Sequence, residues 1–189
     1  MRSRALAVLS FGVVFGAQAA ELAGVRLDDE IRIGEERLVL NGAGVRKRLF
    51  FSVNVVGLYL PEPKRSAEDI LAAPGSKRVT LVMLRDVSAD QFVDAFHAAL
   101  EANTPGEESK RLQPQITAFE ALLREVKEVK KGDVVHLDYR PNTGTQLILN
   151  GVPRGKVIEG EDFYRALLRN WLGPNPADAD LKNALIGAQ

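Results

Sequence analysis

One unusually apolar run, residues 49–60, limits the fold more than any other feature of this sequence. Apolar side chains occupy both odd and even positions of the run, as at Phe51, Val53, Val55 and Val56. Because a β-strand points successive side chains to opposite faces of its sheet, such a strand must be covered on both faces. Two prolines follow the run and end it. The sequence therefore predicts a strand in the interior of a sheet.

The remaining pattern alternates between strands and helices, which places the chain in the α+β class. Residues 21–30 are predicted to be irregular, and residues 41–44 a flexible glycine-rich corner. Period-2 alternation predicts strands at residues 31–33, 38–40, 77–85, 133–139, 146–149 and 152–158. Apolar stripes and caps predict helices at residues 66–73, 88–102, 112–126, 162–172 and 178–186. The hairpin signal Asn150-Gly151 requires antiparallel pairing, so we expect an antiparallel sheet with helices over one face.

The N-terminus has the organisation of a secretory signal peptide. Two arginines near the start precede an apolar stretch at residues 5–15, and Ala17-Gln18-Ala19 supplies a small-residue cleavage site. The apolar stretch is shorter than the roughly 20 residues that span a bilayer. We predict a signal peptide at residues 1–19, one domain at residues 20–189, and a periplasmic protein with no membrane span after cleavage.

Charge and composition exclude several classes of function. Without the two leader arginines the chain has 23 basic and 25 acidic side chains, a net charge of −2, and no basic cluster interleaved with aromatics, so no nucleic-acid partner is expected. With no Cys and only two His, we expect no metal site, no cofactor and no Cys/His catalysis. His136 and Asp138 share one face of a predicted strand, and a solvated pair is favoured there over a catalytic one.

Arg46 leads into the apolar run and is the first candidate for binding. By strand parity Arg46 shares a face with Arg48 and Asn54, and this face could line a cleft in which a guanidinium would bind a carboxylate or another oxyanion. The alternative is that both arginines lie at an exposed strand start and pair with Glu35 or Glu36. The residues alone do not decide between the two.

Two motifs in this region resemble a known family. Gly-Ala-Gly-Val-Arg at residues 42–46 and Val-Val-Gly-Leu-Tyr-Leu at residues 55–60 resemble the chalcone isomerase superfamily, and most closely its bacterial, secreted chalcone isomerase-like members. Residues 88–100 and 163–186 resemble the family's cleft helix and C-terminal helices. The resemblance implies an open-faced β-sandwich, in which a large antiparallel sheet packs against a layer of helices.

The resemblance also implies what the site contains. Arg46 matches the Arg of the plant enzymes, whereas their other polar positions are occupied here by Asn54, Ser88, Ala95 and Asn170. Since most of the groups that would polarise a carbonyl are replaced, we expect no chalcone cyclisation and assign no catalytic residue.

The superfamily also includes non-catalytic fatty-acid-binding members, in which an Arg and a Tyr hold the carboxylate. The resemblance therefore implies a ligand site in which Arg46 is the anion anchor, with Asn54 and Asn170 as secondary contacts. The expected partner is a small hydrophobic or amphipathic carboxylate. Two alternatives stay open: an isomerase or intramolecular lyase acting on an unknown substrate, and a structural or partner-binding envelope protein.

Overall fold

The computed structural model of the chain describes residues 20–187, and the predicted signal peptide lies outside this range. The strands are β1 (Ala20–Leu22), β2 (Val25–Leu27), β3 (Glu30–Ile33), β4 (Glu36–Arg48), β5 (Phe51–Leu60), β6 (Lys77–Met83), β7 (Val87–Ser88), β8 (Glu128–Val129), β9 (Val134–Arg140), β10 (Gly144–Leu149) and β11 (Val152–Ile158). The helices are α1 (Ala67–Ala72), α2 (Ala89–Asn103), α3 (Gly106–Arg111), α4 (Gln113–Val126), α5 (Glu161–Leu172) and α6 (Ala179–Leu185).

Seven of the strands form one antiparallel sheet, which confirms the predicted α+β class and the sheet-on-helices architecture. The strand order is β11-β10-β9-β6-β5-β4-β3. β5 lies inside the sheet between β4 and β6, and its residues 53–60 are all buried. The apolar run therefore has the position that its two apolar faces predicted.

The main core lies between one face of this sheet, here called the inner face, and helices α2, α4 and α5. Phe96 of α2, Phe119 of α4 and Phe163 of α5 meet edge to face, with ring centroids 4.9 to 6.4 Å apart. Burying each such side chain stabilises the fold by about 1.5–3 kcal/mol. The apolar stripes that predicted these helices are the surfaces that pack on the sheet.

The opposite, outer face of the sheet has a smaller core. Ile33, Leu38 and Tyr59 pack together there, and the Tyr59 hydroxyl donates a hydrogen bond of 2.9 Å to the Asp28 carbonyl. Residues 21–30 were expected to be irregular, and this prediction is wrong, since β1 and β2 form a hairpin within that stretch.

The predicted glycine-rich corner at residues 41–44 is also wrong. β4 continues through it with a bulge at Asn41, and the two glycines there let α6 pack directly on the strand. A Cβ at Gly42 would overlap the backbone oxygen of Ala184, and one at Gly44 would come within 2.8 Å of Leu181 Cδ1. The chain instead reverses at residues 49–50, so Leu49 and Phe50 form the turn between β4 and β5.

Within residues 20–187, no helix combines the length and the apolar character needed to cross a membrane.

Candidate ligand-binding cavity

An apolar cavity lies between the inner face of the sheet and the helices α2, α4 and α5. Its volume, measured as the space open to the centres of water molecules, is about 60 Å³. Its apolar lining comprises Leu81, Ala89, Phe92, Ala95, Phe96, Phe119, Leu123, Val126, Val129, Val135, Leu137, Leu147, Leu149, Leu167 and Trp171. Since a cavity needs only about 10–15 Å³ by this measure to hold one water, the space admits a small group or the end of an aliphatic chain.

Three polar residues of the lining are those proposed from the sequence: Arg46, Asn54 and Asn170. We call them the cavity cluster. Arg46 and Asn54 are directly opposite each other in the β4–β5 ladder, and Asn170 belongs to α5. Residues 46–56 were predicted to form one strand, and this prediction is wrong, because the turn at residues 49–50 separates Arg46 from Asn54. They are neighbours as a cross-strand pair, and their role in binding stays a prediction.

The Arg46 guanidinium is partly buried and carries a charge without a partner. Burial, and to a smaller extent the nearby Arg48, lower the pKa of Arg46, while Asp178 acts in the opposite direction. Among residues 20–187, no carboxylate forms an ion pair with Arg46 and no group accepts a hydrogen bond from its side chain. The Asp178 carboxylate is already bonded to the backbone N–H groups of Lys47 at 2.9 Å and Leu181 at 3.0 Å.

The alternative pairing of Arg46 and Arg48 with Glu35 or Glu36 is wrong. Glu36 begins β4, at the opposite end of the strand from Arg46. Its carboxylate accepts a hydrogen bond of 3.3 Å from the backbone N–H of Ser76. Arg48 is exposed at the end of β4.

The two amides of the cavity cluster are also incompletely bonded. Asn54 is only 2% exposed, and its Nδ2 has one weak contact with Met83 Sδ at 3.9 Å. The Oδ1 atoms of Asn54 and Asn170 are buried without a hydrogen-bond partner among the described residues. A buried polar atom left unbonded typically costs about 1–3 kcal/mol, so a ligand that bonds to these groups recovers that cost.

An open basin adjoins the cavity on the side of the β4–β5 turn. Its volume by the same measure is about 770 Å³. The basin and the cavity share Arg46, Ala95 and Asn170. The remaining residues of the basin are Lys47, Arg48, Leu49, Gln91, Asp94, Ala98, Ala99, Ala102, Asn175 and Ala177. Arg46 and Asn170 of the cavity cluster therefore lie where the apolar interior meets solvent, and Asn54 lies deeper inside.

The cavity offers few groups for acid–base or nucleophilic chemistry. Among the described residues that line it there is no hydroxyl, imidazole or lysine side chain. Ser88 caps α2: its Oγ accepts from the Gln91 backbone N–H, and the Gln91 side chain accepts from the Ser88 N–H. The sequence predicted this capping box, and the structure confirms it.

Sequence reasoning missed one acidic residue of the lining, Glu128. It lies on the two-residue strand β8, which pairs with β7 at the start of α2, and it is exposed. No periodicity can reveal so short a strand, so only the tertiary structure places this carboxylate at the cavity.

The outer face of the sheet holds a second polar group, here called the outer-face cluster: Arg78, Thr80, His136 and Asp138. Arg78 donates two hydrogen bonds to the Asp138 carboxylate, and Thr80 Oγ1 lies 3.0 Å from His136 Nδ1. The prediction of a solvated His–Asp pair is wrong, because Asp138 is 5% exposed and bonded to Arg78. Within residues 20–187, no group of His, Asp and Glu side chains could hold a metal ion.

An antiparallel sheet that packs one face on helices and encloses a cavity in that layer defines the open-faced sandwich class. The sequence matches the chalcone isomerase-like family over residues 19–187, and the chain belongs to that family. A fatty-acid binding protein of Arabidopsis thaliana has a similar crystal structure, with a TM-score of 0.69 at 16% sequence identity. The match covers 89% of this chain and 96% of the Arabidopsis protein. No curated protein matches the sequence.

Proposed function

We propose that this protein binds a small amphipathic carboxylate, such as a fatty acid, and catalyses no reaction on it. The observation that carries the proposal is the unpaired, partly buried Arg46 guanidinium at the polar end of an apolar cavity. Removing a charge from water without a partner typically costs several kcal/mol. A bound carboxylate supplies that partner through charge-assisted, bidentate hydrogen bonds.

The two amides of the cavity cluster provide further hydrogen-bonding groups for the same ligand. Asn54 lies opposite Arg46 in the ladder, and both Asn54 and Asn170 have bonding capacity that the fold leaves unused. An amide can present either its oxygen or its NH₂ group, so each can donate to a carboxylate or accept from a hydroxyl or a water. The aliphatic part of the ligand would then enter the apolar interior.

The size of the cavity sets an expectation about the ligand. About 60 Å³ of free space admits a short aliphatic segment, and a longer chain enters only if side chains of the wall change position. Affinity should therefore rise with chain length, reach an optimum and then fall. The Arabidopsis protein of similar fold is named a fatty-acid binding protein, which supports a ligand of this class.

The absence of a reaction rests on the groups around the cavity. Converting a bound ligand needs a positioned acid, base or nucleophile, and the described lining offers only Glu128, which is exposed. A spectrophotometric assay with a chalcone should show no cyclisation above the spontaneous rate. Turnover that disappears in Arg46→Ala would overturn this part of the proposal.

Titration calorimetry with dodecanoate, below its critical micelle concentration, tests the binding. Arg46→Ala should weaken binding at least tenfold, since hydrogen bonds to charged groups contribute about 1.5–3 kcal/mol. Arg46→Lys should recover part of the loss, because it keeps the charge but not the fork of donors. Arg48→Ala is the matched control and should change the affinity less than about threefold, because this side chain is exposed and its interaction is weakened by solvent.

Equal affinity of the wild type and Arg46→Ala would contradict the proposal. A larger loss in Arg48→Ala would show that the anion anchor is Arg48. Organic extraction of the purified protein followed by mass spectrometry would identify any ligand that is carried through purification.

We also propose that the protein acts in the periplasm after removal of residues 1–19. The support is the order of charged, apolar and small residues at the N-terminus. N-terminal sequencing of the protein from its own host should begin at residue 20 or 21, and an intact Met1 in the cytoplasmic fraction would contradict export.

A further inference from the structure

The turn between β4 and β5 exposes three large apolar side chains in succession. Leu49 is 85% exposed, Phe50 98% and Phe51 60%. Val152 is the one other large apolar residue that is exposed within residues 20–187. We call residues 49–51 the hairpin tip. Folding gains almost nothing from side chains held so fully in water, so their presence points to a partner that covers them.

The sequence of the tip is also poorly suited to a turn. Tight hairpin turns favour Gly, Asn or Asp, because one or both turn residues adopt positive φ. Here Leu49 has a φ of 55°, a backbone conformation that residues other than Gly, Asn and Asp rarely adopt. Neither turn chemistry nor core packing therefore explains these apolar residues.

Basic side chains surround the hairpin tip. Lys47 and Arg48 precede it, and the guanidinium of Arg85 lies 5.5 Å from the centre of the Phe51 ring. Residues 37–61 include no acidic side chain, although the chain after the leader has a net charge of −2. The tip is thus a local apolar and basic site on a protein that is slightly acidic as a whole.

The carboxylates of Asp178, Asp86 and Asp94 do not cancel this charge by pairing with it. Asp178 bonds to the backbone N–H of Lys47, and Asp86 bonds to the backbone N–H of Lys131. Asp94 faces the basin from α2. No ion pair within the described residues involves Lys47, Arg48 or Arg85.

We propose that the hairpin tip docks the protein on an anionic lipid bilayer. Leu49, Phe50 and Phe51 insert among the acyl chains, and the flanking basic side chains contact the phosphate groups. A second copy of the chain is a poorer occupant. Three side chains of this size bury on the order of 500 Å², less than the roughly 800 Å² per partner of a stable interface.

The position of the tip links membrane docking to ligand uptake, and this link rests on the proposed function. Leu49 belongs both to the tip and to the wall of the basin that leads to Arg46. A docked protein therefore holds the mouth of its cavity at the membrane surface, where an amphipathic carboxylate partitions. The docking itself rests on exposure and charge and stands without the ligand.

Vesicle sedimentation tests the proposal with the full chain and vesicles of phosphatidylcholine alone or with 30% phosphatidylglycerol. The wild type should bind the anionic vesicles and lose binding as NaCl is raised. Phe50→Ser/Phe51→Ser should weaken binding at least tenfold. Each exposed ring is removed from water only when it enters the membrane, so the variant loses that favourable transfer. Val152→Ser is the matched control and should bind as the wild type does.

A fluorescent reporter locates the contact and separates it from any binding through residues 1–19. The chain has no Cys, so Ser52→Cys or Ala118→Cys gives a single labelling site for an environment-sensitive nitrobenzoxadiazole dye. Both positions are exposed, one beside the tip and one on α4. The dye at residue 52 should shift to shorter wavelength with anionic vesicles, and the dye at residue 118 should not.

Three outcomes would overturn the proposal. The first is equal loss of binding in Val152→Ser, the second is no spectral shift at residue 52, and the third is a concentration-dependent dimer that Phe50→Ser abolishes. The ligand experiment distinguishes this failure from failure of the proposed function: Phe50→Ser/Phe51→Ser should leave dodecanoate affinity unchanged, whereas Arg46→Ala should weaken it and keep vesicle binding.

Discussion

Each face of the sheet has a cluster of polar side chains that are wholly or partly buried, and the two clusters differ in how well these side chains are hydrogen-bonded. In the outer-face cluster, Arg78 neutralises Asp138 and Thr80 bonds to His136. In the cavity cluster, Arg46 has no ion-pair partner within the described residues, and two amide oxygens are unbonded. The fold satisfies the charges and hydrogen bonds of the outer-face cluster and leaves those of the cavity cluster unsatisfied. The observation that supports a ligand is therefore the unpaired charge and the unbonded amides together at an apolar cavity, and not burial or charge alone.

The largest expected effect tests whether the outer-face cluster is structural. Asp138→Ala leaves the largely buried charge of Arg78 without its partner, which should lower the free energy of unfolding by about 3–5 kcal/mol. Arg46→Ala should lower it by less than about 1 kcal/mol or raise it, because the guanidinium has no protein partner to lose and its unpaired, partly buried charge disfavours the folded state. Urea unfolding followed by circular dichroism measures both values. If Arg46→Ala were as destabilising as Asp138→Ala, the cavity cluster would be structural too.

The next prediction distinguishes the effect of cavity volume on ligand preference from the effect of core packing on stability. Leu147→Ala removes a buried side chain of the cavity wall and should cost about 2–5 kcal/mol. Because it also enlarges the cavity, it should raise the affinity for tetradecanoate relative to dodecanoate. Leu185→Ala is the matched control: this residue is equally buried but lies outside the cavity lining, so it should destabilise the fold without changing the chain-length preference.

A smaller effect is expected from removing an unsatisfied amide. Asn170→Leu replaces a side chain whose oxygen has no partner within the described residues, so stability should change by no more than about 1 kcal/mol. Binding of dodecanoate should nevertheless weaken severalfold, since a polar contact at the mouth is lost.

Asn103 provides the contrast for this substitution. Its amide is fully used, donating to the Ala99 and Asn175 carbonyls and accepting from the Asn175 N–H. Asn103→Leu should cost more stability than Asn170→Leu, about 2 kcal/mol or more, because it leaves the backbone groups of Ala99 and Asn175 without their hydrogen-bond partner. The reverse order in thermal unfolding would show that the amide of Asn170 is bonded in the folded protein.

The smallest expected effect is the pH dependence that His136 contributes. Burial, and after it the charge of Arg78, lower the pKa of His136 in the folded state, while Asp138 acts in the opposite direction. The unfolded chain then takes up a proton first as the pH falls, so this contribution is complete above about pH 6.5 and is lost progressively below it. His136→Gln should flatten the difference in unfolding free energy between pH 7 and pH 5. An unchanged slope would mean that His136 is free to ionise in the folded protein.

The sequence by itself determined the elements whose signals are local. The two apolar faces of residues 49–60 required an interior strand, although its first two residues form a turn in the structure. Asn150-Gly151 fixed a hairpin, and Ser88 with Gln91 fixed the start of α2. These features follow from side-chain alternation, turn chemistry and capping, each of which acts within a few residues. The resemblance of the sequence to the chalcone isomerase-like family then implied the architecture, a large antiparallel sheet packed against a layer of helices, which the seven-stranded sheet matches.

Only the tertiary structure decided where the glycines, the turn and the buried charges lie. Gly42 and Gly44 read as a corner from the sequence, yet they pair with β5 as part of β4, and their missing Cβ atoms leave room for α6, more than 130 residues away. Asp138 read as solvated, yet the strand pairing places it opposite Arg78, and its side chain is buried. Arg46 and Asn54 are neighbours because the chain turns at Leu49 and Phe50. Each of these outcomes depends on contacts between distant segments, and a local pattern contains no information about which distant segment will cover it.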